Sequence, residues 1–363
     1  MVRIAKPQQL PNPTFPMRHA SIIALVAALA FSRAAFAQPP VEEAFTTADG
    51  VKLKGLFHAS PNGAAQNDAV VILLYPPGMG NSMDSTEAWA ALTKALTGAG
   101  YHVFRFDWRG HGKSTDIEDT ELFWNTKGAN PNTGPWNVKD VKGAKDKPIK
   151  NKLSTKDFDP KYFPIYANDL AAVRMHLDAK NDKKTVNTSS LYLIGSSETA
   201  ALGLLWMTSE WMRPAVRGGG GGKSPAGVDI AGAVWLSASR PAIAPTKLIE
   251  TWKPLATKLR DRNPMLFLHG ETDSKAAADS KYFFDTFLAA KGSKTLNPLE
   301  QTFLVPIKGT EAKGASLLTA GDTQESILKY LAARQKDRAS LDWKERKFVS
   351  PYFVDLKPFG MVP

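Results

Sequence analysis

At 363 residues and 43% hydrophobic composition, the chain can bury a sizeable core in one large domain or two modest ones, and intrinsic disorder is excluded. The formal net charge is +11, or +7 without the first 37 residues, and the excess gathers between Lys139 and Lys161 without interleaved stacking aromatics, which argues against nucleic-acid binding. With no cysteine, a disulfide framework and thiolate metal sites are excluded.

Arg3, Lys6 and Arg18 precede the apolar run Ala20 to Phe31, and Ala35-Phe36-Ala37 closes it. This is the tripartite pattern of a signal peptide over residues 1–37, which predicts an exported, periplasmic or extracellular protein with no membrane span after cleavage. Glu43 to Ala59 reads as two short strands around an Asp49-Gly50 turn. Val70 to Tyr75 is a continuous apolar run, as for a strand covered on both faces, and it ends in the glycine-rich loop Pro76 to Ser82. Trp89 to Leu96 has helical spacing and stops at Gly98. Tyr101 to Phe106 is a fourth strand, followed by Asp107-Trp-Arg-Gly-His-Gly-Lys-Ser114.

From about 115 to 165 runs an insertion rich in Asn, Lys, Gly and Pro that carries Phe123, Trp124, Trp136, Phe158, Tyr162 and Phe163. Segments of this length inside a compact domain are functional or locally ordered, so it reads as a lid-like excursion, with a plain surface insertion as the alternative. Asp169 to Ala179 is an amphipathic helix. Leu191 to Ile194 is then a strand that meets Gly195-Ser-Ser-Glu-Thr199 and an Ala/Leu-rich helix from Ala200 to Trp206. This strand-turn-helix setting holds a serine hydroxyl exposed at the top of a sheet. The Gly-x-Ser-x-Gly pattern makes Ser197 the nucleophile, with Thr199 where the second glycine belongs; a Cβ there crowds the turn and predicts an altered elbow. Arg217-Gly-Gly-Gly-Gly-Gly-Lys-Ser224 is not a phosphate loop, because Arg217 replaces its first glycine and no apolar strand precedes it. Strands follow at Ile230 to Leu236, Met265 to His269 and Phe303 to Pro306, with helices at Thr246 to Leu259 and Asp322 to Ala333.

Asp107 to Ser114 after a strand, preceded by a strand, a glycine-rich loop and a helix, resembles the α/β-hydrolase family in its serine-esterase and serine-aminopeptidase branch. The resemblance runs from about Glu43 to Ala332. It implies an α/β fold of the α/β-hydrolase type: a mainly parallel sheet, helices on both faces and an insertion after the fourth strand, in a domain spanning 41–340 with a tail at 341–363. It also implies Ser197 as nucleophile, Asp273 in Gly270-Glu-Thr-Asp273 as the acid, and N–H groups of Gly78, Met79 and Glu198 as oxyanion donors. The family's histidine falls where Lys313 stands, before Gly314.

A serine hydroxyl needs a base within hydrogen-bond reach, and imidazole suits the role near pH 7. The six histidines are His19, His58, His102, His111, His176 and His269, all ahead of the last strand. His111 and His269 stand on the edge of the sheet where the site would be. An exposed lysine keeps its proton to roughly pH 10, so Lys313 is a base only if strongly desolvated. An ion pair with Asp273 in place of the His–Asp hydrogen bond is the simpler expectation. The sequence thus predicts an exported α/β-hydrolase-like protein without an ordinary triad that binds a small molecule or partner in the former acyl pocket. The alternative is an active serine hydrolase of esters or peptides with Lys313 or a displaced histidine as base. No cofactor, metal or nucleic-acid motif stands out.

Overall fold

Uninterrupted apolar runs suit strands buried on both faces, and they occupy the middle of the sheet. In the computed structural model, which describes residues 39–76, 86–125, 133–213, 225–241, 249–251, 253–286, 302–341, 343–346 and 352–361, eight strands form one sheet. They are β1 (Val41–Thr46), β2 (Lys52–His58), β3 (Ala69–Leu74), β4 (His102–Phe106), β5 (Asn187–Ser196), β6 (Ile230–Leu236), β7 (Met265–Gly270) and β8 (Phe303–Ile307). Their order is β1-β2-β4-β3-β5-β6-β7-β8, antiparallel between β1, β2 and β4 and parallel from β4 onward. Every residue of β3, β5, β6 and β7 is buried, whereas β1, at the edge, alternates half-buried and exposed positions.

Among the described residues the helices include α1 (Glu87–Gly98), α2 (Thr120–Trp124), α3 (Gly134–Asp140), α4 (Ala167–Asp182), α5 (Thr199–Met212), α6 (Thr257–Arg262), α7 (Ser274–Thr286) and α8 (Thr323–Lys336). Trp89, Leu92 and Leu96 of α1 and Ile327 and Leu331 of α8 pack with Val71, Leu73 and Ile194 on one face of the sheet. Residues of α4, α5 and α6 join Val70, Ile72 and Leu193 in the core of the other face. The helix expected over 246–259 is interrupted: residues 249–251 are helical, and Pro254, which has no N–H to donate, lies in a 3-10 turn (Lys253–Ala256) ahead of α6.

The insertion packs several of its aromatics into the domain core, which revises the lid-like expectation. Phe123, Trp136, Leu153 and Tyr162 are buried in the core, and bridges join Val51 to Ile117 and Val141 to Phe158. The N–H groups of Glu118 and Asp119 both donate to the Gly50 carbonyl, which ties the insertion to the β1–β2 turn. The tail, unassigned from sequence, packs on its own domain. Val354, Leu356, Phe359 and Met361 are buried, and the Val354 N–H donates to Asn168 Oδ1 of α4 at 2.8 Å. Arg346 reaches Asp229 at 2.8 Å and the Ser189 hydroxyl at 2.9 Å. The amino-terminal pattern, the loop 77–85 and the glycine run 218–222 lie outside the described residues.

Candidate active site

The chain runs from β3 outward to β4 and later returns to place β5 on the other side of β3, so the sheet's direction of growth reverses between β3 and β5. Loops leaving the carboxyl ends of two such strands diverge and leave a crevice. Ser197 stands there, one residue beyond β5. Its φ is +55°, in the left-handed region that costs a residue with a Cβ about 1–2 kcal/mol. The turn is held on both sides: Ser197 N–H donates to Leu236 O at 2.9 Å, and Ser197 O accepts from Ser239 N–H at 3.1 Å. Glu198 then stands at the start of α5 without a side-chain capping bond.

Thr199 does not open this turn. Its hydroxyl donates to Ser196 O at 2.8 Å, and the side chain occupies the space beside Gly195, where a Cβ would lie 2.5 Å from Thr199 Oγ1. The glycine two residues before Ser197 thus makes room for the side chain two residues after it.

Asp273 follows β7 and is almost fully buried; its Oδ1 accepts from the Ala276 N–H at 3.1 Å, capping α7. Lys313 Nζ lies 3.8 Å from the same oxygen, with its side chain 70% exposed against 4% for Asp273. The group that closes on the serine is Gly314. It has φ +52°, and a Cβ added there would lie 3.0 Å from Ser197 Oγ. The structure therefore brings Ser197, Asp273 and the Lys313–Gly314 loop together, with the ammonium turned to Asp273.

His111 and His269 each turn one ring nitrogen to a backbone carbonyl. His111 Nδ1 is 2.9 Å from Arg109 O, its ring sits edge-on to Tyr166 at 5.9 Å, and burial pushes its pKa below the usual value. His269 Nδ1 is 3.0 Å from Gly270 O. Among the described residues no ring nitrogen is hydrogen-bonded to Ser197. The Glu198 carboxyl is half-buried, and that burial raises its pKa. Gly78 and Met79, the other expected oxyanion donors, lie outside the described residues.

The motif from Asp107 to Ser114 is scaffold. Asp107 Oδ2 accepts the Lys113 N–H at 2.9 Å and leaves no space for a side chain at Gly112. Ser114 Oγ accepts the Lys54 N–H at 2.8 Å. Arg109 is fully buried: Nε meets Asp169 at 2.7 Å, Nη1 meets Asp49 at 2.7 Å and the Tyr162 hydroxyl at 2.9 Å, and Nη2 meets Asp49 at 3.0 Å. Sequence reasoning missed this cluster because Asp49, Tyr162 and Asp169 are far apart in the chain. It missed the contact of Gly314 with Ser197 as well, although the glycine was in plain view. Among the described residues no three His, Asp or Glu side chains form a metal-sized group, and no helix is long and apolar enough to cross a membrane.

A family described as alpha/beta hydrolase fold matches residues 71–198, from β3 through the serine turn. The chain has an α/β-hydrolase fold. No curated protein matches it. Solved structures similar to this chain include an esterase of Pyrococcus furiosus, at 17% identity and TM-score 0.47 over 82% of this chain and 93% of that one. A lid-less α/β serine hydrolase of Xanthomonas campestris is similar at 15% identity and TM-score 0.46, over 85% and 98% of the two chains. An esterase of Butyrivibrio proteoclasticus with ferulic acid bound is similar at 13% identity and TM-score 0.48, over 80% and 98%.

Proposed function

We propose that this exported α/β-hydrolase-like protein has lost triad hydrolysis and uses the crevice around Ser197 to bind a small molecule or partner. The observation that carries the reading is the Lys313–Asp273 ion pair: the acid of the expected triad is engaged by an ammonium, and that ammonium is 70% exposed. A lysine base requires burial, which Lys313 lacks. Among the described residues neither His111 nor His269 is hydrogen-bonded to Ser197 through a ring nitrogen. Loss of one triad member costs a hydrolase roughly a thousandfold or more in rate, which places hydrolysis by this route near background. Export rests on the basic, apolar and small-residue pattern of residues 1–37.

One observation favours the second reading, an active serine hydrolase of esters or peptides. Ser197 keeps the left-handed backbone, and such strain persists where surrounding structure enforces it, often at working sites. In that reading Ser197 attacks, the Glu198 N–H and the loop at Gly78 and Met79 hold the oxyanion, and Lys313 or a displaced histidine takes the proton. Turnover of p-nitrophenyl acetate separates the two. Lys313→His should gain activity that Ser197→Ala removes, over a native background that Ser197→Ala leaves unchanged. Native turnover that depends on Ser197 would establish the second reading.

A further inference from the structure

A cavity of about 520 Å³ opens in the insertion, between the end of α3 with the turn after it and residues 157–160. That size falls within the range of small-molecule sites, about 300–1,000 Å³. No residue of the serine turn or the Lys313 loop lines it. Its two walls are fastened by the backbone: Val141 bridges Phe158, Lys142 N–H donates to Asp157 O at 2.9 Å, and Asp159 N–H donates to Asp140 O at 2.8 Å. The shape is therefore built into the fold.

The lining carries charge of both signs. Lys139, Lys142 and Lys145 stand among Asp140, Asp146, Asp157 and Asp159. Asp157 is already met by Lys150 at 2.5 Å, which leaves three ammonium groups beside three carboxylates and no net charge. Among the described residues none of those six side chains forms an ion pair, so donors and acceptors alike are open to a ligand. Asp140 stands apart from the rest: it is 7% exposed, and its Oδ2 has no hydrogen-bond partner. A buried carboxylate oxygen without a donor is costly, and as the last residue of α3 Asp140 also meets the negative end of the helix dipole. Positions that break local rules without a compensating partner are where function is expected. Val138, on the same lining, leaves an apolar side chain exposed.

We propose that this cavity binds a neutral, hydroxyl-rich ligand of the oligosaccharide class. Carboxylates only accept hydrogen bonds and ammonium groups only donate them, whereas each sugar hydroxyl does both. One ligand class therefore serves Asp140 and the lysines at once, and the C–H face of a sugar ring covers Val138. A lining without net charge favours neither a simple anion nor a simple cation. A zwitterion would have to strip water from a charged group to reach the buried Asp140 oxygen, which a hydroxyl does at far lower cost.

Calorimetric titration of the full chain with maltose, cellobiose, lactose and trehalose tests this, with sulfate, spermidine and the zwitterion glycylglycine as comparison ligands. Saturable binding of at least one disaccharide is expected, tighter than any comparison ligand. It should weaken about tenfold or more in Asp140→Ala and in the double variant Lys142→Ala/Lys145→Ala. The lysine variant changes only exposed side chains, so it decides the matter even if Asp140→Ala fails to fold. Three results would overturn the proposal: no saturable binding of any disaccharide below about 10 mM, a comparison ligand that binds as tightly as the best disaccharide, or affinity unchanged in the lysine variant. Ser197→Ala should bind the same disaccharide as the native chain does; loss of binding there would move the ligand to the crevice and refute this site.

Discussion

Arg109 and Lys313 both stand on loops that follow parallel strands, and both pair with aspartate, yet the two regions are held in opposite ways. Every guanidinium nitrogen of Arg109 has a partner, its side chain is fully buried, and it joins the β1–β2 turn, the insertion and α4. Lys313 reaches one oxygen at 3.8 Å from a mostly exposed position. The difference teaches that the motif best resembling a family signature secures the scaffold. The position of the expected base is held instead by Lys313, whose exposed ion pair contributes little to stability.

The largest expected effect probes the first half of that comparison. Arg109→Met leaves Asp49 and Asp169 buried without their cation and should lower unfolding free energy by about 3–5 kcal/mol in a denaturant titration. Lys313→Met should cost under about 0.5 kcal/mol, since an exposed pair is screened by water and salt. Similar costs for the two variants would dissolve the contrast.

Next comes the backbone around the serine. Gly314→Ala combines a positive φ with a Cβ close to Ser197 Oγ and should destabilise by about 2 kcal/mol. Ser197→Gly removes the penalty at φ +55° and should stabilise by about 1 kcal/mol. A destabilising Ser197→Gly would mean that the hydroxyl makes contacts worth more than the strain.

The smallest expected effect concerns pH. Burial holds His111 below its ordinary 6.5, so the unfolded chain takes up a proton before the folded one does. Stability therefore falls as pH drops from about 6.5 toward the folded value, and it is flat above. Subtracting the pH profile of His111→Gln from that of the native protein should isolate a loss of stability confined to pH below about 6.5; a difference that grows above pH 7 would contradict the assignment.

The strands were legible because their apolar runs leave few alternatives, and the Gly195 to Thr199 turn was legible because a strand and a helix must meet there. Other features depended on contacts distant in sequence. The crowding inferred at Thr199 is relieved by Gly195, a compensation that requires the two side-chain positions to face each other. The insertion read as a lid because its composition is polar, while the few aromatics that decide its packing, Phe123, Trp136 and Tyr162 among them, are buried in a core built from segments distant in the chain. The tail was opaque because Arg346 and Phe359 have meaning only against α4, α5 and Asp229.

The central claim is that no base serves Ser197. Exposure of the full chain to a fluorophosphonate, followed by intact-mass and peptide analysis, tests it most directly. The account predicts no adduct on Ser197 under conditions that fully label a working serine esterase, and an adduct on Ser197 in Lys313→His. Stoichiometric phosphonylation of Ser197 in the native chain would contradict it.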